Sequence, residues 1–240
     1  MSHPKWPLTA VLSKLPESSW LDAMDAMSDL NLESDKNAAF GYGAIQPNQI
    51  RLLTLPPAAK HAPLEAVMFV CNFPKLSLDG WEALSYTWGD SAELARTIVI
   101  NERKKKITTT LETALRYLRD EIDIKFLWVD ALCIDQDNNK EKGHQLRLMR
   151  FIYEEAACVR VWLGEWEEHG EQAMIFLMFI QELNPDDDSI FNELYGKPES
   201  DTLASLTSLF SRPYWRRVSC PFQSHNPSPS CTNPLIRRVC

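Results

Sequence analysis

Between Trp81 and Gly164 the chain alternates strand-like and helix-like stretches, and this alternation limits the possible folds more than any other feature. Ala83–Thr87 and Thr97–Ile100 read as strands. Thr108–Asp120 follows as a helix with Leu111, Leu115 and Leu118 on one face. At its start Thr109-x-x-Glu112 has capping-box spacing, in which each side chain satisfies an otherwise unpaired backbone donor. Lys125–Ile134 is a nearly continuous apolar stretch, as expected of a strand covered on both faces. Lys140–Ala157 is helical, with Leu146, Met149, Tyr153 and Ala156 along one stripe, and Val159–Leu163 is a further buried strand. Strands alternating with helices imply right-handed crossovers. The expected fold is α/β: a mostly parallel central sheet flanked by helices.

The flanks add less regular pieces. Residues 17–31 carry Trp20, Met24, Met27 and Leu30 at helical spacing opposite an acidic face, which fits a surface helix docked on the body or a partner-binding helix. Residues 32–48 are polar and read as a linker. Ile50–Leu55 and Ala66–Cys71, separated by Pro56-Pro57, suit an irregular hairpin at the edge of the sheet. Gly170–Leu183 reads as a helix with Ala173, Phe176, Leu177 and Ile180 inward, and Thr202–Phe210 as a last short helix. After Val218 the chain turns Pro- and Ser-rich and loses its acidic residues and apolar period, so a disordered tail is expected. The expected division is an N-terminal helix and linker over 1–48, the main domain over 49–217 and a tail over 218–240.

Composition narrows the function classes. A formal net charge of −8 argues against non-specific nucleic-acid binding. The longest apolar run, Ala173–Ile180, falls far short of the ~20 residues a membrane span needs. Nothing at the N-terminus reads as a secretory signal. A cytoplasmic protein is expected, and its six cysteines are then reduced thiols.

In an open α/β sheet, ligands sit beyond the carboxyl ends of the strands. That rule selects Trp88-Gly89-Asp90, Asp135-Gln136-Asp137-Asn138 and Gly164-Glu165-Trp166, which together offer carboxylates, an amide and two indoles for a polar aromatic ligand. The plainer alternative is that Gly89 and Gly164 supply turn geometry while the aspartates cap helices. Asp130 is placed by alternation on one sheet face with Trp128 and Leu132, and Cys133 on the other with Val129 and Ala131. A buried carboxylate there needs partners: either it anchors backbone donors of a neighbouring loop or it points into a site, and Arg96, Arg116 and Arg147 are possible charged partners. The candidate ligand-binding residues are therefore Trp88, Gly89, Asp90, Asp130, Asp135 and Gln136.

Other chemistry finds little footing. Cys133 with His144 would make a nucleophile and base, but a small buried apolar role is simpler. Asp135-x-Asp137-x-Asn139 opens like a calcium loop, yet Lys140 and Leu146 occupy the positions that require Gly and Glu. Cys220, His225, Cys231 and Cys240 match no zinc spacing. No metal and no cofactor are expected, and no phosphate loop, dinucleotide fingerprint or serine elbow is present.

Several segments together resemble the fungal heterokaryon incompatibility (HET) domain. They are Ile50-Arg-Leu-Leu-Thr-Leu55, Glu82-Ala-Leu-Ser-Tyr-Thr-Trp-Gly89, Leu127-Trp-Val-Asp-Ala-Leu-Cys-Ile-Asp-Gln136 and Val161-Trp-Leu-Gly164, with Glu141, Gln145 and Tyr153 between the last two. Most relatives carry Asn where Asp135 stands. The resemblance covers residues 50–217 and implies a role in non-self recognition and programmed cell death, exerted through protein partners, including copies of itself or full-length relatives. It also implies a distant relation to Toll/interleukin-receptor (TIR) domains, of flavodoxin-like architecture. Some of those cleave NAD with a glutamate, so the resemblance leaves NAD glycohydrolysis open as an alternative, with NAD as substrate. A third reading is a non-signalling fragment that damps full-length relatives.

Phe210-Ser-Arg-Pro-Tyr-Trp-Arg-Arg-Val218 resembles a family segment that continues through Trp to Gln-Glu, whereas here Ser219-Cys-Pro-Phe-Gln follows. A C-terminal truncation, with the tail a translated intron, is the expectation. The glutamate implied as catalytic is then missing, and this chain is expected not to act as an enzyme.

Overall fold

The computed structural model describes residues 40–74, 80–89, 94–165, 173–178 and 201–216. The helix expected over 17–31, Asp90, Trp166 and the tail over 218–240 lie outside the described residues. The chain divides into two units, Met1–Arg160 and Val161–Cys240.

The strands are β1 (Gln49–Leu55), β2 (Glu65–Asn72), β3 (Glu82–Tyr86), β4 (Arg96–Ile100), β5 (Arg103–Ile107), β6 (Lys125–Val129) and β7 (Cys158–Trp162). Among the described residues they form one sheet in the order β5-β4-β2-β1-β6-β3-β7. Among the described residues of the first unit the helices are α1 (Thr109–Leu118), α2 (Asp130–Cys133) and α3 (Asn139–Glu155). The α/β class is therefore as expected, but the sheet is mixed. β2 pairs β4 in parallel and β3 pairs β6 in parallel, while β1 is antiparallel to both β2 and β6, and β4 to β5. The reason lies in the connections. Residues 56–64 are too few for a parallel crossover, and the two-residue link after Ile100 permits only a hairpin.

The hairpin expected at the sheet edge is instead central. Arg51 to Leu55 are all buried, as an edge strand's would not be, and β1 lies between β2 and β6. Among the described residues β5 and β7 form the edges; β5, Arg103-Lys-Lys-Lys-Ile107, is a strand that periodicity did not reveal, and lysines on an edge strand discourage unwanted pairing. Its tight turn takes Asn101 and Glu102 to φ of 48° and 65°, as two-residue hairpin loops demand. The Asn101 side chain adds an extra rung. Its amide donates to the Met68 carbonyl at 3.0 Å, and its oxygen accepts from the Met68 N–H at 2.9 Å.

Helix boundaries follow local chemistry. Thr108, not Thr109, caps α1, its hydroxyl accepting from Leu111 N–H at 3.3 Å. Glu112 instead turns to Arg116 at 2.8 Å and Arg96 at 3.2 Å. Asn138 caps α3 by accepting from Glu141 N–H at 3.1 Å. Its inner face holds Gln145 and Ile152, with Leu148, Met149, Tyr153 and Ala156 packed on the core. Leu146, expected inward, points out because the stripe is rotated toward Gln145. The core beneath gathers Ile50, Leu52, Phe69, Trp81, Ala83, Trp128, Cys133 and Ile134.

In the second unit, residues 173–178 are helical with Ala173, Met174 and Phe176 buried. Helix α4 (Asp201–Ser211) buries Ser205 and Leu209 and runs into a 3-10 turn over Pro213–Arg216 that buries Tyr214. Buried Arg212 donates to the Leu163 carbonyl at 3.2 Å. Gly164 has φ +104°, a conformation that disfavours any side chain.

Candidate functional site

Strand β6 ends one residue before Asp130, so the expected ten-residue strand is corrected to a short strand followed by a helical turn. The physical reason is Asp130 itself. A carboxylate inside an apolar strand has no donors, whereas at the start of a helical turn it meets free N–H groups. Its Oδ1 accepts from Ala131 N–H at 2.8 Å. The alternation expected for 128–134 fails for the same reason, and Cys133 joins the core cluster that holds Trp128.

The register of β3 with β6, Leu84 beside Val129, brings the loops after both strands to one end of the sheet. There the Trp88 indole N–H donates to both oxygens of Asp130, at 3.1 and 3.0 Å. Asp130 is 5% exposed, whereas Trp88 keeps 38% of its surface open. Gln136 completes the group, its amide donating to the Asp130 carbonyl at 2.9 Å. Its Oε1 is buried and accepts no hydrogen bond among the described residues.

The remaining candidates take supporting roles. Gly89 has φ +73°, and a Cβ there would lie 2.9 Å from the Thr110 hydroxyl, so the loop that aims Trp88 requires glycine. Asp135 turns its carboxylate onto Asp137 N–H at 3.2 Å, an Asx turn, and its own N–H donates to Glu141 at 2.8 Å. Asp90 lies outside the described residues.

A second cluster, absent from the sequence-based candidates, locks this corner. Because β1 runs antiparallel to β6, its start lies beside the end of β6. Arg51, 2% exposed, donates to both carboxylate oxygens of Glu141, at 2.5 and 3.0 Å, to the Cys133 carbonyl at 3.0 Å and to the Gly43 carbonyl at 2.6 Å. The Tyr42 hydroxyl donates to the Leu132 carbonyl at 2.8 Å. Both Arg51 and Lys105 lie over its ring, at 4.8 and 4.6 Å from the centroid. Residues 42–43, within the stretch 32–48 read as a linker, are thus fastened to the body. The one sequence signal for this cluster was a charged residue inside the apolar run Ile50–Leu55.

Electrostatics agree with a closed corner. Burial pushes the Tyr42 phenol well above its usual range and Lys105 below its own. Burial also pushes the Cys133 thiol up to about 12. With no exposure and no thiolate at neutral pH, Cys133 is a packing residue. We predict that alkylating reagents leave it unmodified in the native protein and reach it after denaturation. Peptide mass spectrometry that found Cys133 alkylated at the native rate of half-buried Cys158 would contradict this. Among the described residues, no group of His, Cys, Asp and Glu could hold a metal ion, and no helix is long and apolar enough to cross a membrane.

Chemically, then, the corner offers an exposed indole held by a buried carboxylate, over a network whose charges are paired. Comparison with known proteins adds a family context. The model of the heterokaryon incompatibility protein (HET) family matches residues 81–220, which takes in both strand-end loops. A curated relative, "Heterokaryon incompatibility protein 6, OR allele" of Neurospora crassa, is 36% identical over 137 residues, covering 52% of this chain and 20% of the relative. The chain thus spans about a fifth of the length of that protein. No solved structure matches the chain significantly.

Proposed function

This chain belongs to the heterokaryon incompatibility (HET) family, and on that premise we propose that it is a signalling module of fungal non-self recognition, leading to cell death through protein contacts. The observation that carries the reading is the state of the strand-end corner. Among the described residues, its buried acidic groups serve the fold: Asp130 holds Trp88, and Glu141 holds Arg51. A carboxylate occupied in this way is a poor general base, since its lone pairs are already in use. The exposed Trp88 face is instead suited to contact, because aromatic side chains anchored by a hydrogen bond are efficient interface residues. Its partners are protein: full-length relatives or further copies of the chain.

The finer likeness to TIR domains draws support from the parallel β3–β6 pair with its loops at the carboxyl ends. The antiparallel placing of β1 weighs against a mostly parallel sheet.

The test is expression of the chain in fungal cells, alone and beside a full-length relative, with viability and cellular NAD followed together. We expect viability to fall while NAD stays level until death, and Trp88→Ala to weaken the response at least about tenfold. An early fall in NAD would replace this reading with glycohydrolysis. Silence of the chain alone, with protection of cells carrying the full-length relative, would replace it with damping.

A further inference from the structure

The four-residue turn α2 cannot hold its own shape. A helical turn this short has so few internal hydrogen bonds that its carbonyls must find donors elsewhere. Three of them do. The Asp130 carbonyl accepts from the Gln136 amide at 2.9 Å, the Leu132 carbonyl from the Tyr42 hydroxyl at 2.8 Å, and the Cys133 carbonyl from Arg51 at 3.0 Å. Leu132 and Cys133 are fully buried, so water cannot stand in for these donors. Two of the three donors answer to residues 40–43. Tyr42 belongs to that segment, and Arg51 also donates to the Gly43 carbonyl at 2.6 Å. Phe40 fastens the segment's start, its N–H donating to the Lys104 carbonyl at 3.0 Å. At the first residue of the turn, Asp130 grips the Trp88 indole.

We propose that residues 40–43 form a strap that sets the pose of Trp88, with Tyr42 as the positioning residue. The route has three links: Tyr42 to the Leu132 carbonyl, back along the helical turn to Asp130, and from Asp130 to the Trp88 indole. Taking the hydroxyl away strands a buried acceptor, and the turn can satisfy it only by moving. Asp130 moves with the turn. Trp88, 38% exposed on its glycine-dependent loop, has the freedom to follow. The strap holds together as one piece, because the Phe40 and Tyr42 rings meet edge-on at 5.0 Å with the Lys105 ammonium over both. Burial keeps the phenol protonated at any ordinary pH, so the donor is always present. The surface that Trp88 offers is thus set, through the turn, by a segment that precedes the sheet. Release of that segment is the event that alters it. This assignment deepens the reading of Trp88 as a contact face and rests on it for its biological use, though not for its physical test.

The test is oxidation of the full 240-residue chain by N-bromosuccinimide, with each tryptophan followed by peptide mass spectrometry. Tyr42→Phe removes the hydroxyl and keeps the ring. We expect it to speed oxidation of Trp88 about fivefold, the effect of one lost hydrogen bond on an opening equilibrium, while buried Trp162 keeps its wild-type rate. In protein labelled with 5-fluorotryptophan, the Trp88 resonance, assigned through Trp88→Phe, should shift or broaden in Tyr42→Phe. Phe40→Ala loosens the strap at its other end and leaves the Tyr42 hydroxyl in place. It should act on Trp88 in the same direction by a smaller factor. A Trp88 indifferent to either variant would overturn the proposal. So would a matching rise at Trp81 and Trp162, which would mark Tyr42 as a general stabiliser. Oxidation rates decide the coupling and the viability assay decides the signalling role, so either can fail alone.

Discussion

Replacing Arg51 with alanine should destabilise the chain by about 3–5 kcal/mol, because it strands the Glu141 carboxylate in a buried setting with its counter-charge removed. The side chains of Arg51 and Glu141 are 3% and 7% exposed, so water cannot replace the lost partner. The Gly43 and Cys133 carbonyls lose their donor as well, loosening residues 40–43 from the corner. The pH dependence identifies the cause. Burial alone would raise the Glu141 carboxyl, but the Arg51 hydrogen bonds, the Asp135 N–H and the Arg51 charge together hold it below its usual 4.5. A group depressed in the folded state contributes fully above its unfolded value and loses that contribution as pH falls through the folded one. Urea midpoints should therefore fall as pH drops below about 4.5, and Glu141→Gln should flatten that slope. An Arg51→Ala protein with wild-type urea midpoints would refute the assignment.

Trp128→Ala should cost a similar amount, about 3–5 kcal/mol, but with no dependence on pH or salt. Trp128 is fully buried, and its ring meets Tyr153 edge-on at 5.6 Å in the layer between the sheet and α3. Removing the indole empties a volume that the strands on both sides of β6 cannot refill. Trp128→Phe offers a sharper contrast. The Trp128 N–H is buried and finds no acceptor among the described residues, so its loss relieves a desolvated donor while most of the ring volume is retained. We expect Trp128→Phe to cost under about 1.5 kcal/mol. Equal losses for Ala and Phe would mean that the indole nitrogen is in fact satisfied in solution.

Legibility in the sequence followed interaction range. Trp88 and Gln136 were readable because a general rule about sheet ends suffices to find them, and Asp130 stood out as a carboxylate within an apolar run. The character of their meeting was not readable. Asp130 was expected within a strand, anchoring a neighbouring loop or pointing into a site, and it begins a helical turn bonded to an indole from 42 residues earlier. Tyr42 and Arg51 were missed because their partners lie 82 to 90 residues away, which only the register of β1 on β6 reveals. β5 escaped because three consecutive lysines carry no apolar alternation, and Leu146 was turned inward because Gln145, a polar residue, holds the buried position. That last reversal follows from the Gln145 amide, which donates to the Gln49 carbonyl at 2.7 Å.

The order of strands in the sheet also sets a schedule for the nascent chain. β1 and β2 can close into a hairpin as soon as both leave the ribosome. The neighbours of β3 are β6 and β7, both synthesised later. Glu82–Tyr86, destined for burial from Ala83 to Tyr86, therefore emerges with no strand to pair with until residue 129 has followed it out. During that interval its open edges are available to any other extended segment nearby, including the same stretch on a neighbouring polysome. Yield of this protein should accordingly depend on elongation speed across residues 87–129, a property of its message rather than of its finished contacts.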